Sequence, residues 1–147
     1  MREIFLDTTY VMPFFYMDIN IKGFSRKKYA ELIQKLEKIH LSEISIFEAK
    51  VKSLKTRSTE VLEKFNRGLS ILRSDRRVEI HGYTAEHDRA LNDMLELLRD
   101  VNIIDLIIIS QAREVGVLLT EDRVIHEHRD EIGIDILDWK SFVKILS

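Results

Sequence analysis

Short apolar runs alternate along this sequence with longer stretches in which apolar residues recur every three or four positions. Ile4–Leu6 and Val117–Leu119 are runs of the first kind, and each stops at a polar turn. Val61–Leu72 is a stretch of the second kind, with the period of an amphipathic helix. Continuous apolar runs are typical of strands buried on both faces. The pattern therefore predicts an α/β fold whose parallel sheet is covered on both faces by helices.

The polar residues between these segments predict where each element begins. Strands are expected over residues 2–6, 78–80, 117–119 and 134–137, with His40–Ser42 as a short link or strand. Helices are expected to start at the capping residues Ser25, Ser42 or Ser45, Ser58 or Thr59, Thr84, Asn102 and Asp138. The helix that follows Ser25 is predicted to end near Lys38.

Length and composition exclude several classes of protein. With 147 residues, the chain is predicted to form a single domain, residues 1–147, around one core. It has no cysteine, which excludes disulfide scaffolds, thiolate zinc sites and cysteine nucleophiles. No apolar run is long enough to span a membrane, and the first residues do not form a signal peptide. We therefore expect a soluble, cytoplasmic protein with no membrane partner.

Four acidic residues lie where strands end or helices begin. Asp7 directly follows the first predicted strand, and Asp122 follows the strand over residues 117–119. Glu48 and Asp105 lie in the first turns of predicted helices, which begin at the carboxyl edge of a parallel sheet. Ligands of such sheets bind outside this edge, where the strand order reverses. The four carboxylates are therefore predicted to share one crevice.

Each acid also has a purely structural explanation. Asp7 fits an Asx turn, and Asp122 fits the cap of a short helix. Asp105 has capping-box spacing from Asn102, and Glu48 can pair with a lysine four residues on. Their joint placement favours a metal site, because clustered carboxylates without basic partners repel one another unless a cation lies among them. Oxygen ligands favour Mg²⁺ or Mn²⁺.

The segments that contain these acids resemble the PIN domain (PilT N-terminus) family of nucleases, especially its small VapC-type members. The matching segments are Ile4–Thr9, Ser42–Ala49, Asp105–Ala112 and Val117–Asp122, and together they span essentially the whole chain. The resemblance implies a three-layer α/β/α sandwich with a central parallel sheet of about four to five short strands. It also implies an acidic pocket that binds Mg²⁺ or Mn²⁺ and hydrolyses phosphodiester bonds in RNA.

The resemblance also assigns individual residues. By position, the catalytic and metal-binding acids of the family fall on Asp7, Glu48, Asp105 and Asp122. Thr120 matches a hydroxyl position near the metal, and Thr8 is a second neighbour of the acids. Glu43 competes with Glu48, and Asp100 competes with Asp105. Glu48 follows the Ser-x-x-Ser-x-x-Glu spacing better, and only Asp105 leads directly into an apolar helix.

The implied function is a divalent-metal-dependent ribonuclease, with an antitoxin protein as partner if the chain is the toxin of a toxin–antitoxin pair. The alternative is a catalytically silent PIN-like module that binds nucleic acid or acts as a scaffold. The presence of all four acids argues against this alternative. The family often forms homodimers, and apolar residues within Lys28–Leu36 and Val51–Leu62 are candidates for such a contact.

Charge patterning adds candidate RNA contacts. The chain has a net charge of −2, which lacks the basic excess typical of nucleic-acid-binding domains. Without the four acids the formal charge becomes +2, which leaves room for basic patches. Arg26, Lys50 and Lys52 are therefore predicted to contact RNA phosphates, with solvated helix faces as the structural alternative.

The histidines raise the separate question of a transition-metal site. His126 and His128 are two residues apart, and we interpret them as part of a polar surface turn rather than as a transition-metal site. His81 and His87 are predicted to lack ligand partners nearby.

Overall fold

The protein, a computed structural model that describes residues 1–147, has a five-stranded sheet and nine α-helices. The strands are β1 (Glu3–Leu6), β2 (Lys38–Ser42), β3 (Val78–His81), β4 (Val117–Leu119) and β5 (Asp135–Leu137). The helices are α1 (Thr8–Val11), α2 (Arg26–Gln34), α3 (Glu43–Lys55), α4 (Thr59–Ser74), α5 (Ala85–Met94), α6 (Ile103–Ala112), α7 (Arg123–Glu127), α8 (Arg129–Ile132) and α9 (Trp139–Leu146). A 3₁₀ turn, Met12–Phe15, directly continues α1. None of the helices combines the length and apolarity that a membrane span requires.

All strands are parallel, in the order β3-β2-β1-β4-β5. The first strand is therefore the central one, and Leu6 pairs with Leu41 on one side and with Leu119 on the other. The chain first builds β2 and β3 outward from β1, then crosses to the opposite side of β1 to add β4 and β5. The strand order thus reverses between β1 and β4, which is where open parallel sheets bind ligands.

Helices cover both faces of the sheet, which confirms the α/β/α sandwich with five short strands. Ile4 and Leu6 face an apolar cluster that includes Phe65 of α4. Phe5 faces the other side, in a second cluster with Ile108 of α6. The prediction of one core is wrong in this respect, because a sheet that is buried on both faces separates the apolar side chains into two clusters.

Local capping chemistry sets where most helices begin. The predicted capping side chains each accept a backbone hydrogen bond at a helix start: Ser25, Ser42, Ser58, Thr84, Asn102 and Asp138. Helix α2 ends at Gln34, earlier than the predicted Lys38, because Lys38 already pairs with Glu3 in the sheet. Sheet pairing therefore overrides the helical period at this end.

The apolar face of α2 is not available for a dimer contact. Tyr29, Leu32 and Ile33 are at most 5% exposed, since they pack into the core of their own chain. The expectation that Lys28–Leu36 supplies a dimer surface is therefore wrong. Exposed apolar side chains occur instead on α3, where Phe47 is 66% exposed and Leu54 is 53% exposed.

Candidate active site

Two carboxylates flank the point where the strand order reverses. Asp7 directly follows β1 and caps α1, with its Oδ1 accepting the Thr8 N–H at 2.8 Å. Asp122 lies three residues after the end of β4 and caps α7, accepting the Ile125 N–H at 3.1 Å. The expected cap is therefore present at Asp122, whereas Asp7 caps α1 instead of forming the expected Asx turn. Capping does not compete with a metal site, because a carboxylate has about four acceptor positions and each cap uses one.

One buried hydroxyl connects these two acids. Thr120 is fully buried, and its Oγ1 donates to Asp7 Oδ2 at 2.5 Å. The same oxygen accepts the Asp122 N–H at 3.0 Å. Thr120 therefore fixes the side chain of Asp7 against the backbone of Asp122, which is the neighbouring position expected for it.

Glu48 reaches the same edge of the sheet from α3. Its Oε1 lies 3.3 Å from the Thr8 hydroxyl, which donates to it. Ser45, one turn earlier on α3, supplies the next hydrogen bond, 2.7 Å from its Oγ to Thr8 Oγ1. Thr8 thus occupies the predicted neighbouring position, between the capping Asp7 and Glu48. Ser45 is a site residue that sequence reasoning missed, because it was considered only as a helix start.

Asp105 completes the group from the first turn of α6. Its N–H donates to Asn102 Oδ1 at 3.0 Å, so capping is performed by the asparagine and the carboxylate is left to face the cleft. The cleft has a volume of about 330 Å³ and is lined by Asp7, Thr8, Thr9, Glu48, Asn102, Ile104, Asp105 and Asp122. The four acids thus share one cleft, and both sequence competitors, Glu43 and Asp100, lie outside its lining.

The carboxylates of the cleft are not compensated by basic residues. None of the four forms an ion pair with lysine, arginine or histidine. Burial, followed by the charges of Asp7, Asp122 and Glu48, raises the pKa of Asp105 to about 7. Burial also raises the pKa of Asp7, against the opposing hydrogen bonds from Thr120 and Thr8, and it raises the pKa of Glu48. Burial and, to a smaller extent, the neighbouring charges therefore disfavour the ionised form of these carboxyl groups.

A hydrated divalent cation fits this arrangement. The four carboxylates surround the cleft without converging on one point, since no three of them place oxygens within 4.8 Å of one another. Mg²⁺ usually keeps several of its waters and binds directly to only one or two carboxylates. An oxygen-only donor set with uncompensated negative charge suits such an ion and offers nothing to a softer metal.

The metal-free protein should be more stable at pH 6 than at pH 8. A carboxyl group whose pKa is raised on folding contributes stability when it is protonated, and this contribution is lost as the pH rises through the folded-state pKa, which is about 7 for Asp105. We expect the Tm measured in EDTA to fall between pH 6 and pH 8, and the fall to be smaller in Asp105→Asn. Adding Mn²⁺ at pH 8 should raise the wild-type Tm. Equal pH dependence in the wild type and the variant contradicts this account.

The acid next to Asp122 has a different role that the sequence did not reveal. Glu121 Oε1 accepts a hydrogen bond from the backbone N–H of Trp139 at 2.6 Å, and it accepts a second one from the Tyr10 hydroxyl. Glu121 therefore ties the loop after β4 to α9 and to the end of α1, and thereby holds Asp122 at the cleft. No local motif signals this, because both donors are distant in the sequence.

The predicted RNA-contacting residues occupy three different environments. Lys52 lines a groove of about 440 Å³ that also contains Glu48, so it borders the cleft directly. Lys50 Nζ lies 5.6 Å from the centre of the Phe65 ring, on another side of α3. Arg26 lines a separate groove with Pro13 and other residues but with none of the four acids.

The histidines differ from expectation in one respect. His126 Nε2 lies 2.7 Å from the Thr120 carbonyl oxygen, whereas His128 Nε2 lies 2.7 Å from Asp100, so the two rings do not converge. The prediction that His81 and His87 lack partners is wrong. His81 Nε2 lies 2.8 Å from a ring nitrogen of His40, and His87 Nε2 lies 2.8 Å from Glu114. Burial, followed by the charge of His40, lowers the pKa of His81.

Solved structures of other proteins have the same fold as this chain. A chain of the crystal structure of VapBC2 from Rickettsia felis, bound to a DNA fragment from their promoter, superposes with a TM-score of 0.66 at 21% identity, covering 93% of this chain and 98% of that one. A chain of VapBC-1 from nontypeable Haemophilus influenzae gives a TM-score of 0.65 at 17% identity, covering 94% and 98%. DNA-bound VapBC from Salmonella typhimurium gives 0.59 at 21% identity, covering 95% and 99%.

Comparison of the sequence with protein-family models identifies the family of this chain. No curated protein is similar enough to this chain to count as a match. The model of the PIN domain family, in contrast, matches residues 4–131, which include all four acids of the cleft, all of β2, β3 and β4, and β1 except its first residue. The chain therefore belongs to the PIN domain family.

Proposed function

We propose that this protein is a divalent-metal-dependent ribonuclease whose active site is the acidic cleft at the ends of β1 and β4. The observation that carries the proposal is the group of four uncompensated carboxylates around this cleft. Such a group destabilises a protein unless it binds a cation. PIN nucleases generally use divalent metal ions, and Mg²⁺ and Mn²⁺ are the ions that this donor set suits.

The roles of the residues follow from their positions. Asp7, Asp105 and Asp122 would hold the metal, and Thr120 keeps the Asp7 carboxylate oriented toward the cleft. When bound, such an ion supplies Lewis-acid chemistry, since it lowers the pKa of the attacking water and neutralises charge on the phosphate oxygens. Glu48, whose pKa is raised by partial burial, accepts a proton from the attacking water. Thr8 positions Glu48 through its hydroxyl.

Lys52 is the best placed of the predicted RNA contacts. It lines the groove that meets the cleft at Glu48, and Lys55 lines the same groove one turn nearer the carboxyl end of α3. An RNA strand bound in this groove would place some phosphates beside these two lysines and the following phosphates beside the carboxylates of the cleft. Lys50 and Arg26 remain candidates for contacts further from the scissile bond. Binding through these lysines should weaken with increasing salt.

We also propose a protein partner of the antitoxin type. All three of the similar structures described above are VapBC assemblies. In this chain, the exposed Phe47 lies in the groove beside Glu48, and the exposed Leu54 lies on the same helix. An apolar segment of a partner that covered these side chains would also block the approach to the cleft. Formation of a homodimer stays a prediction from the family resemblance.

Incubation with total RNA tests the enzymatic proposal. We expect cleavage in Mg²⁺ or Mn²⁺ and none in EDTA, because the carboxylates alone cannot activate a water or bind a phosphate. Mapping of the cut ends gives the sequence or structure that is recognised. Absence of cleavage together with absence of Mn²⁺ binding in calorimetry would instead support the silent PIN-like module. Cleavage that persists in EDTA contradicts a metal-dependent mechanism.

A further inference from the structure

Three potential metal ligands converge at a place that shares no residue with the acidic cleft. His40 of β2 and both Glu79 and His81 of β3 each place one ligand atom within 4.8 Å of the other two. In the parallel ladder His40 pairs with Glu79, and His81 lies two residues further along β3. Residues two apart on a strand face the same side of a sheet. The pairing of β2 with β3 therefore creates this group directly.

The spacing of the ligand atoms is close to that of a tetrahedral metal site. His40 Nδ1 is 2.8 Å from His81 Nε2 and 3.6 Å from Glu79 Oε2. With metal–ligand bonds of about 2.0–2.2 Å, two ligands of a tetrahedral ion lie about 3.3–3.6 Å apart. The His40–Glu79 distance already fits. A movement of roughly half an ångström between the two rings would bring their nitrogens to the same spacing.

The outer nitrogens of both rings face carboxylates. His40 Nε2 is 3.0 Å from Glu3 Oε2, and His81 Nδ1 is 3.7 Å from Glu114 Oε2. Each carboxylate favours a proton on the nitrogen that it faces, which leaves the lone pairs on His40 Nδ1 and His81 Nε2. These two nitrogens are 2.8 Å apart, so either a proton or a metal ion must lie between them. Carboxylates behind ligating histidines are the usual outer shell of protein zinc sites.

The donor set and its accessibility select the kind of ion. Two imidazole nitrogens and one carboxylate oxygen suit Zn²⁺ or a similar transition metal, whereas Mg²⁺ prefers oxygen ligands alone. His40 is only 5% exposed, but the Glu79 side chain is 53% exposed, so an ion can enter from solvent beside Glu79. Water can supply the fourth ligand.

We propose that His40, Glu79 and His81 form a Zn²⁺ site that fastens the edge strand β3 to β2. The outer side of β3 has no strand partner, so its attachment depends on β2 and on the helices that cover it. Gln111 of α6 already contributes by donating to the carbonyl oxygens of His81 and Gly82 at 3.4 and 3.2 Å. The ion would add a cross-strand link on the same face. This site is independent of the proposed nuclease function.

Competition with a chromophoric chelator measures the affinity and the stoichiometry of Zn²⁺ binding to the 147-residue chain. In excess Mg²⁺, which is added to compete for the acidic cleft, we expect one Zn²⁺ per chain, and bound Co²⁺ should show the visible absorption of a four-coordinate ion. Glu79→Gln and His81→Gln should each weaken binding by at least about tenfold. His128→Gln, which removes a histidine elsewhere, should bind like the wild type. Zn²⁺ should raise the Tm of the wild type more than that of Glu79→Gln.

Three results would overturn the proposal. The first is no stoichiometric Zn²⁺ binding by the wild type. The second is displacement of Zn²⁺ by excess Mg²⁺, which would place the ion in the acidic cleft. The third is equal affinity of Glu79→Gln and the wild type. Glu79→Gln is the decisive variant, because a substitution at a half-exposed side chain leaves folding intact even if loss of the more buried His81 does not.

Discussion

Asp7→Asn should abolish RNA cleavage without unfolding the protein. Asp7 is the most buried of the four acids, 7% exposed, and the Thr120 hydroxyl fixes it at the head of the cleft. The amide keeps an oxygen for the Thr8 N–H but loses the charge that, in the proposed function, holds the metal. Removing a single group that stabilises transition-state charge costs about 10²–10³ in rate, and Asp7 also contributes to metal affinity. We therefore expect a loss of at least about a thousandfold in single-turnover cleavage with Mn²⁺.

The stability of this variant should change in the opposite direction. Burial raises the pKa of Asp7, so the ionised carboxylate destabilises the metal-free fold near neutral pH, and a neutral amide removes that penalty. The Tm of Asp7→Asn in EDTA should equal or exceed that of the wild type. Asp100→Asn is the matched control, because it removes an exposed acid that pairs with His128 outside the cleft, and it should remain active. Full activity of Asp7→Asn would refute the assignment of the active site.

Gly68→Ala should cause the largest loss of stability among single-methyl substitutions. A Cβ on Gly68 of α4 would lie 2.3 Å from the Phe14 carbonyl oxygen and 3.1 Å from Phe15 Cδ1. A backbone carbonyl in the 3₁₀ turn cannot rotate away, so the helix and the turn must separate. Overpacking of this kind costs about 1–3 kcal/mol, and we expect a net loss near the upper part of that range. Urea unfolding measures it.

The same substitution should also lower activity. The 3₁₀ turn directly continues α1, which Asp7 caps, so a shift of the turn away from Gly68 moves the first part of the cleft. Asn66→Ala is the control, since Asn66 is exposed on the same helix and gains helix propensity without a clash. The packing account fails if Gly68→Ala is as stable as Asn66→Ala.

The parts of the fold that the sequence predicts are those set by local chemistry. The capping serines, Asn102 and Asp138 lie at helix starts because a side-chain oxygen satisfies a nearby N–H, and this depends on neighbouring residues only. The cleft was predictable for a similar reason. Asp7 and Asp122 each follow an apolar run, and parallel strands bring all such positions to one edge.

The parts that the sequence does not predict depend on distant contacts. The end of α2 is set by pairing of Lys38 with Glu3, which the helical period of α2 cannot reveal. The role of Glu121 depends on donors near both ends of the chain. His81 seemed isolated because its partner His40 approaches only through the register of β2 with β3. A one-residue change of that register would point these side chains to opposite faces.

The central position of β1 has a consequence for protein synthesis. Leu6 is synthesised before both of its strand partners, and one of them, Leu119, follows it by more than a hundred residues. A nascent chain that already carries Asp7 and Glu48 still lacks Asp105 and Asp122, so its cleft has only half of its carboxylates. The sheet can therefore close around β1 only after β4 has been synthesised, and the proposed nuclease site is incomplete until then.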